Sequence, residues 1–172
     1  MLRASSGQIL DVQVNWTGSQ GGLDIWGQDG FPIKHASVGS SFWRDYLVST
    51  QDYYVRVTAE SGTSGYILRV SVPARVNFAP GAISATISGQ VESYGSMLYA
   101  LRASGGQQMQ INLSSASPNL LPTIWGFDGT VLKSSSNGSQ SWNGNLPSSQ
   151  DYIVMVTSFG SSASFSLTVT IR

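Results

Sequence analysis

Apolar and polar residues alternate with a period of two along most of this chain. Leu10, Val12 and Val14 alternate with Asp11 and Gln13, and Met109, Ile111 and Leu113 alternate with Gln110 and Asn112. Tyr53, Val55 and Val57 form a further set, matched by Tyr152, Val154 and Val156. Tyr66, Leu68, Val70 and Val72 are matched by Phe165, Leu167, Val169 and Ile171. Each set puts one strand face on a core and the other in water, the antiparallel pattern. No window carries the 3.6-residue period of an amphipathic helix. Asp29-Gly30 and Asp128-Gly129 lie between apolar runs and predict tight type I′ hairpins, and Gly7-Gln8 and Gly106-Gln107 mark another bend. Short strands separated by Gly, Asn and Ser turns predict an all-β fold of sandwich type. In the second half, strands are expected near 83–91, 97–104, 107–114, 120–126, 130–134, 140–147, 151–158 and 164–172.

The matched sets belong to a duplication. Leu2 to Pro73 aligns without a gap on Leu101 to Arg172, and Leu2-Arg3-Ala4-Ser5, Ile25-Trp26-Gly27 and Gln51-Asp52-Tyr53 return as Leu101-Arg102-Ala103-Ser104, Ile124-Trp125-Gly126 and Gln150-Asp151-Tyr152. A repeat of this length suits a small self-contained domain rather than a solenoid unit. The organisation read from it is a first sandwich over 1–75, a linker over 76–82 and a second sandwich over 83–172. What both copies keep is needed by the fold, and what one copy has alone is free to carry function.

The copies are unequal. The second is preceded by Ile83-Ser84-Ala85-Thr86-Ile87-Ser88-Gly89-Gln90-Val91, which reads as its first strand, and by Met97-Leu98-Tyr99. Nothing equivalent precedes Leu2, so the expected fold is two tandem jelly-roll-like antiparallel β-sandwiches, the first lacking its N-terminal strand. A missing edge strand leaves unpaired N–H and C=O groups and uncovered core. Three origins are open: a piece of a longer repeat array, a strand supplied by a neighbouring molecule in a head-to-tail polymer, or a segment near the linker folding back.

Composition narrows the function. The formal net charge is zero and only 10% of residues are charged. Nucleic-acid binding needs clustered Lys and Arg, which are absent here. There is no basic amphipathic helix and no apolar run of the ~18 residues that would span a bilayer. The absence of cysteine excludes a disulfide framework, thiolate zinc and a Cys nucleophile. Met1-Leu2-Arg3 runs straight into a strand pattern without a signal peptide, so an exported form is expected to be a mature product or a fragment. The low-charge, Ser/Thr/Gly-rich composition points to an extracellular or cell-surface setting.

Catalysis finds no support. The single histidine, His35, is matched by Ser134, and Glu60 and Glu92 fall in loop-like contexts. No nucleophile elbow, phosphate loop or zinc-protease motif occurs. The recurring acids, Asp29/Asp128 and Asp52/Asp151, are explained by turns and strand starts. No cofactor is expected. A structural calcium is the one metal reading left open, with Asp24 and Asp29 meeting across a hairpin, although Thr123 replaces Asp24 in the second copy. Asn15-Trp16-Thr17, Asn112-Leu113-Ser114 and Asn137-Gly138-Ser139 match the glycosylation sequon, a pattern that arises by chance in so Asn/Ser-rich a chain.

Aromatic residues divide into two groups. Trp43 and Trp142 share a strand parity with Leu47 and Leu146 and are assigned to the core, with Tyr53, Tyr152, Asp52 and Asp151 as further structural positions. Trp26 and Trp125 follow Ile25 and Ile124, so inward isoleucines turn the indoles outward. An outward indole serves a packing interface or stacks a sugar ring. Trp16 has no counterpart and sits beside a Gly-Ser stretch. The candidate contact residues are therefore Trp16, Trp26 and Trp125, with Leu2 and Ala4 on the open edge of the first copy. Ile83, Ala85 and Ile87, on the strand that the first copy lacks, complete the set.

A set of motifs also resembles a family. Ile87-Ser88-Gly89, Tyr99-Ala100-Leu101-Arg102-Ala103, Gly106-Gln107, Asp128-Gly129-Thr130-Val131-Leu132, Leu146-Pro147, Asp151-Tyr152 and Phe165-Ser166-Leu167-Thr168-Val169 together resemble the bacterial and archaeal pre-peptidase C-terminal domains. The resemblance spans 83–172 and, in the strand-deficient copy, 2–73. It implies a jelly-roll-like sandwich, placement outside the cell and an accessory role without catalytic residues. The reading is a non-enzymatic structural or assembly module of a prokaryotic surface protein or filament. It associates with itself or with neighbouring domains through strand complementation and aromatic faces. The alternative is a carbohydrate-binding accessory module using Trp26 and Trp125.

Overall fold

The computed structural model describes residues 1–36 and 41–172. The chain divides into two compact units, Met1–Pro73 and Ala74–Arg172. Both are predominantly antiparallel β-sandwiches, and no α-helix occurs among the described residues.

In the first unit, β1 (Leu2–Ala4), β6 (Gln51–Ala59), β3 (Gly21–Gly27) and β4 (Pro32–Lys34) form one sheet in that order. β5 (Phe42–Tyr46), β2 (Ile9–Trp16) and β7 (Tyr66–Ser71) form the other. The predicted alternation sets the inward faces. Leu10, Val12 and Val14 from β2 meet Leu23 and Ile25 from β3 and Tyr53 from β6, with Trp16, Trp43 and Val70 packed at the margin. Burying an aliphatic side chain of this kind contributes about 1.5–3 kcal/mol, so these few residues hold the two sheets together.

The second unit has the same plan with more strands. Its first sheet runs β13 (Val131–Lys133), β12 (Leu120–Gly126), β15 (Gln150–Ser158), β10 (Ser96–Ala103) and β8 (Ala74–Arg75). Its second runs β14 (Ser141–Asn145), β11 (Gln108–Ser114), β16 (Ala163–Ile171) and β9 (Ser84–Val91). Tyr99, Leu101, Met109, Ile111, Ile124, Tyr152 and Leu167 fill its core, with Trp142 packed against it.

Two features depart from the sequence reading. The linker expected over 76–82 begins inside the second unit. Ala74–Arg75 pairs in parallel with β10, Val76 donates to the Ala100 carbonyl at 2.9 Å, and Val76 is buried with Phe78 beside it. A two-residue strand after Pro73 has no room to display alternation, which is why Ala74–Arg75 reads as the end of the first sandwich rather than as a strand of the second. The Asp-Gly turns are also not type I′. Gly30 and Gly129 have φ of 80° and 88°, whereas the central residues of the turns, Gln28-Asp29 and Phe127-Asp128, keep negative φ. The Gly30 N–H donates to the Gly27 carbonyl and Gly129 to Gly126, both at 2.9 Å, and the ladder slips one register in each copy. This is a type I turn closed by a left-handed glycine, with a bulge. The Asp side chain fixes it by accepting from the Phe31 or Thr130 N–H, and Gln51 or Gln150 accepts from the Asp29 or Asp128 N–H.

Candidate functional site

The first unit exposes what the second covers. In the second unit β9 lies antiparallel to β16, with Phe165 opposite Gly89, Leu167 opposite Ile87 and Val169 opposite Ala85. The matching strand in the first unit, β7, pairs with β2 on one side. Among the described residues no strand pairs with its other side. The side chains record the difference: Phe165 and Leu167 are 5% and 0% exposed, whereas their counterparts Tyr66 and Leu68 are 49% and 36% exposed. Ile67, on the opposite face of β7, is also exposed.

The backbone of β7 has a definite phase. The Thr17 N–H donates to the Gly65 carbonyl at 2.9 Å, continuing the β2–β7 ladder. Alternate residues of an antiparallel strand direct both backbone groups to the same neighbour. Ile67, Arg69 and Ser71 therefore face β2, and Tyr66, Leu68 and Val70 turn their N–H and C=O groups to the open side. The second unit has the same phase, since the Ile171 N–H donates to the Ile83 carbonyl at 2.8 Å. The open side of β7 is thus an edge of correct spacing with apolar side chains beneath it, the arrangement that accepts an added strand. Trp16, opposite Tyr66 across the ladder, stands 5.9 Å from its ring.

Trp26 lies on a separate face, half-buried on β3. Its ring stacks on Tyr54, its partner across the ladder, at 5.6 Å, and the Arg56 guanidinium lies 5.5 Å from it. The Arg56 guanidinium donates to Asp24 at 3.1 Å, and the Ala36 N–H donates to the same carboxylate at 2.9 Å. The Ala36 hydrogen bond, followed by Arg56, holds the Asp24 carboxyl below the usual carboxylate range although burial opposes it. Trp125 is different: it is 8% exposed, opposite the fully buried Ile153 where Trp26 has Tyr54. Ile124 belongs to the core and Trp125 does not, so the indole faces away from the core as expected, and its burial fits the packing alternative rather than an open sugar platform.

Ala4 belongs to the first core and Leu2 packs against it. Among the described residues β1 is the terminal strand of its sheet, with Arg3 exposed and Ala4 buried. Ile83, Ala85 and Ile87 are engaged in their own unit: the Ile83 carbonyl is hydrogen-bonded, and Ala85 and Ile87 pack on the second core. Tyr53 and Tyr152 are fully buried, and each hydroxyl donates 2.6 Å to a backbone carbonyl four residues upstream, Ser49 or Ser148. Asp52 meets Arg3 at the surface, whereas Asp151 is buried against Arg75. Asp24 and Asp29 are committed to different partners, Asp29 to Phe31 and Gln51. Among the described residues no three His, Cys, Asp or Glu side chains come together as a metal site.

One cluster escaped sequence reading. Asp11 is fully buried on β2, with Arg44 donating through Nε at 2.8 Å and Arg69 through Nη2 at 3.5 Å. The second copy has Gln110, Asn143 and Thr168 at these positions. The joint replacement of one acid and two arginines was the signal available.

These modules are predominantly antiparallel β-sandwiches, one closed at its β9 edge and one open at the equivalent place. No protein-family model matches the chain, and no curated protein matches it in sequence. Among solved structures, the periplasmic inhibitor of g-type lysozyme PliG from Aeromonas hydrophila is similar at 27% identity and a TM-score of 0.53. That match covers 58% of this chain and 96% of the inhibitor. The PliG of Salmonella Typhimurium is similar at 24% identity and a TM-score of 0.47, over 58% of this chain and 97% of its own. A match of that share is the length of one module, as in Ala74–Arg172, rather than of two.

Proposed function

We propose that this chain is a non-enzymatic protein-binding module of the bacterial periplasm or cell exterior. It takes its partner along the open edge of β7 by strand addition and serves assembly with neighbouring β-sandwich modules. The observation that carries this reading is the contrast between Tyr66 and Leu68, exposed on β7, and Phe165 and Leu167, buried beside β9. Covering the exposed parts of Tyr66 and Leu68 would contribute about 3–4 kcal/mol at 25 cal/mol per Å2, and main-chain pairing would add to it. The likeness to a periplasmic lysozyme inhibitor supports a binding role without chemistry and a location outside the cytoplasm. The resemblance to pre-peptidase C-terminal domains points the same way. A glycan-binding role is the weaker reading, since burial of Trp125 leaves Trp26 without its recurring partner.

Leu68→Pro provides the test. It removes an N–H that faces the open side and leaves the β2–β7 ladder intact, the setting in which an edge strand tolerates proline. Light scattering and negative-stain microscopy over a wide concentration range should show oligomers or filaments of the native chain. Leu68→Pro, with an unchanged circular dichroism spectrum, should stay monomeric. Single native particles at every concentration would overturn the assembly role, and titration with g-type lysozyme would then test the protein-binding role by itself.

A further inference from the structure

The duplication specifies the strand that the β7 edge accepts. We infer that the open edge of β7 selects an extended, uncharged segment running antiparallel to it, with glycine opposite Tyr66, a branched aliphatic residue opposite Leu68 and a small residue opposite Val70. This deepens the proposed strand addition and rests on it.

The template is β9 in the second unit. Its inward positions are Ala85, Ile87, Gly89 and Val91, and its outward positions, Ser84, Thr86, Ser88 and Gln90, are exposed. None of the eight residues is charged, so their transfer onto an apolar edge carries no ionic desolvation cost. Carrying the β9–β16 register onto β7 places the glycine against Tyr66, the isoleucine against Leu68 and the alanine against Val70.

Glycine is the selective element. A Cβ at Gly89 would lie 2.9 Å from Cζ and 3.1 Å from Cε1 of Phe165, and 3.3 Å from the Tyr99 hydroxyl. The phenylalanine ring therefore lies across the glycine, covering a strand position that has no side chain of its own. The first unit keeps an aromatic ring at this position, as Tyr66. A β-branched residue there would have to displace that ring, against its packing on Trp16.

The experiment places every sequence change in the peptide, so the protein's folding is not at issue. A dye-labelled, end-blocked peptide Ser-Ala-Thr-Ile-Ser-Gly-Gln-Val is titrated into the full chain by fluorescence anisotropy, beside a peptide with valine replacing the glycine. Amide spectra of the labelled protein locate the site. The expected result is saturable binding that perturbs Tyr66–Ser71 and about tenfold weaker binding of the valine peptide. Equal binding of both peptides, each lost in Leu68→Pro, would overturn the glycine rule and leave the edge reading standing. Binding that perturbs β16 instead would mean exchange with β9 and would overturn the inference. If neither peptide binds while the native chain assembles and Leu68→Pro does not, the strand specificity falls and the edge reading survives. If neither peptide binds and the native chain stays monomeric, both fall.

Discussion

Tyr53→Phe and Tyr152→Phe make the same perturbation twice in one molecule. Both rings are fully buried, and both hydroxyls donate a 2.6 Å hydrogen bond to the carbonyl four residues upstream. The substitution keeps the ring and its apolar burial, so the loss is confined to the hydrogen bond and the carbonyl left behind. A net intramolecular hydrogen bond contributes about 0.5–1.5 kcal/mol, and a stranded buried carbonyl adds to the loss on its removal. Ser49 and Ser148 are half-buried, so water reaches the freed carbonyls in part and the expected cost is about 1–1.5 kcal/mol. Tyr152 also accepts a long 3.4 Å bond from the Ser148 N–H, which places its variant at the upper end. With a urea m-value of about 1 kcal/mol/M for a module of this size, the midpoint should fall by about 1 M without a change in slope. Amide cross-peaks of the module carrying the substitution, followed through a urea titration, read this directly. An unchanged midpoint in both variants would refute the claim that these recurring tyrosines tie the strand to the turn before it.

Three further outcomes follow from charged groups. Asp11→Ala should destabilise the first module by about 3–5 kcal/mol in urea unfolding, because it leaves buried arginine without its carboxylate; a loss below about 1 kcal/mol would show that the cluster is not needed. Asp24 is held below the usual carboxylate range by the Ala36 N–H and then Arg56, so its contribution is full above about pH 4 and disappears as pH falls through the lowered value. Asp24→Asn should flatten that acid limb of the stability profile, and an unaltered limb would refute the assignment. Lys133 is 2% exposed, burial pulls its pKa down, and its ammonium donates to the Ser134 carbonyl at 3.3 Å. Its penalty is full at neutral pH and fades as pH rises towards 10.5. Lys133→Met should therefore raise the melting temperature at pH 7 by about 4 °C, with a gain that shrinks in alkali; a lowered melting temperature would show that the lysine is stabilising.

What could be read from the sequence was whatever repeats with a short period. The strands of both cores announce themselves by alternation, and the first copy's expected open edge falls, among the described residues, along Tyr66–Ser71. Properties set by partners distant in sequence were not legible. Trp26 and Trp125 occupy equivalent positions in the alternation, yet one neighbours Tyr54 and the other Ile153, and their exposures differ accordingly. Asp11 sits on a polar position of β2, and only the register with β5 and β7 brings Arg44 and Arg69 to it. The turns misled for a local reason: Asp-Gly fits both the type I′ hairpin and the type I turn with a glycine bulge, and the side chains of Gln51 and Gln150 favour the second.

The pairing of β9 with β16 also bears on how the second module is made. Ser84 meets Thr170, so an early strand of the module is held by its last one, and the chain between them spans nearly the whole module. Closing so long a loop precedes any reward from the contacts it enables, which slows folding. Until Ala163–Ile171 has emerged, β9 has no partner in its own module. The emerging chain therefore passes through an interval in which an uncharged, alternating strand stands ready to pair elsewhere. The nine residues of β16, rather than those of β9, set when this hazard ends.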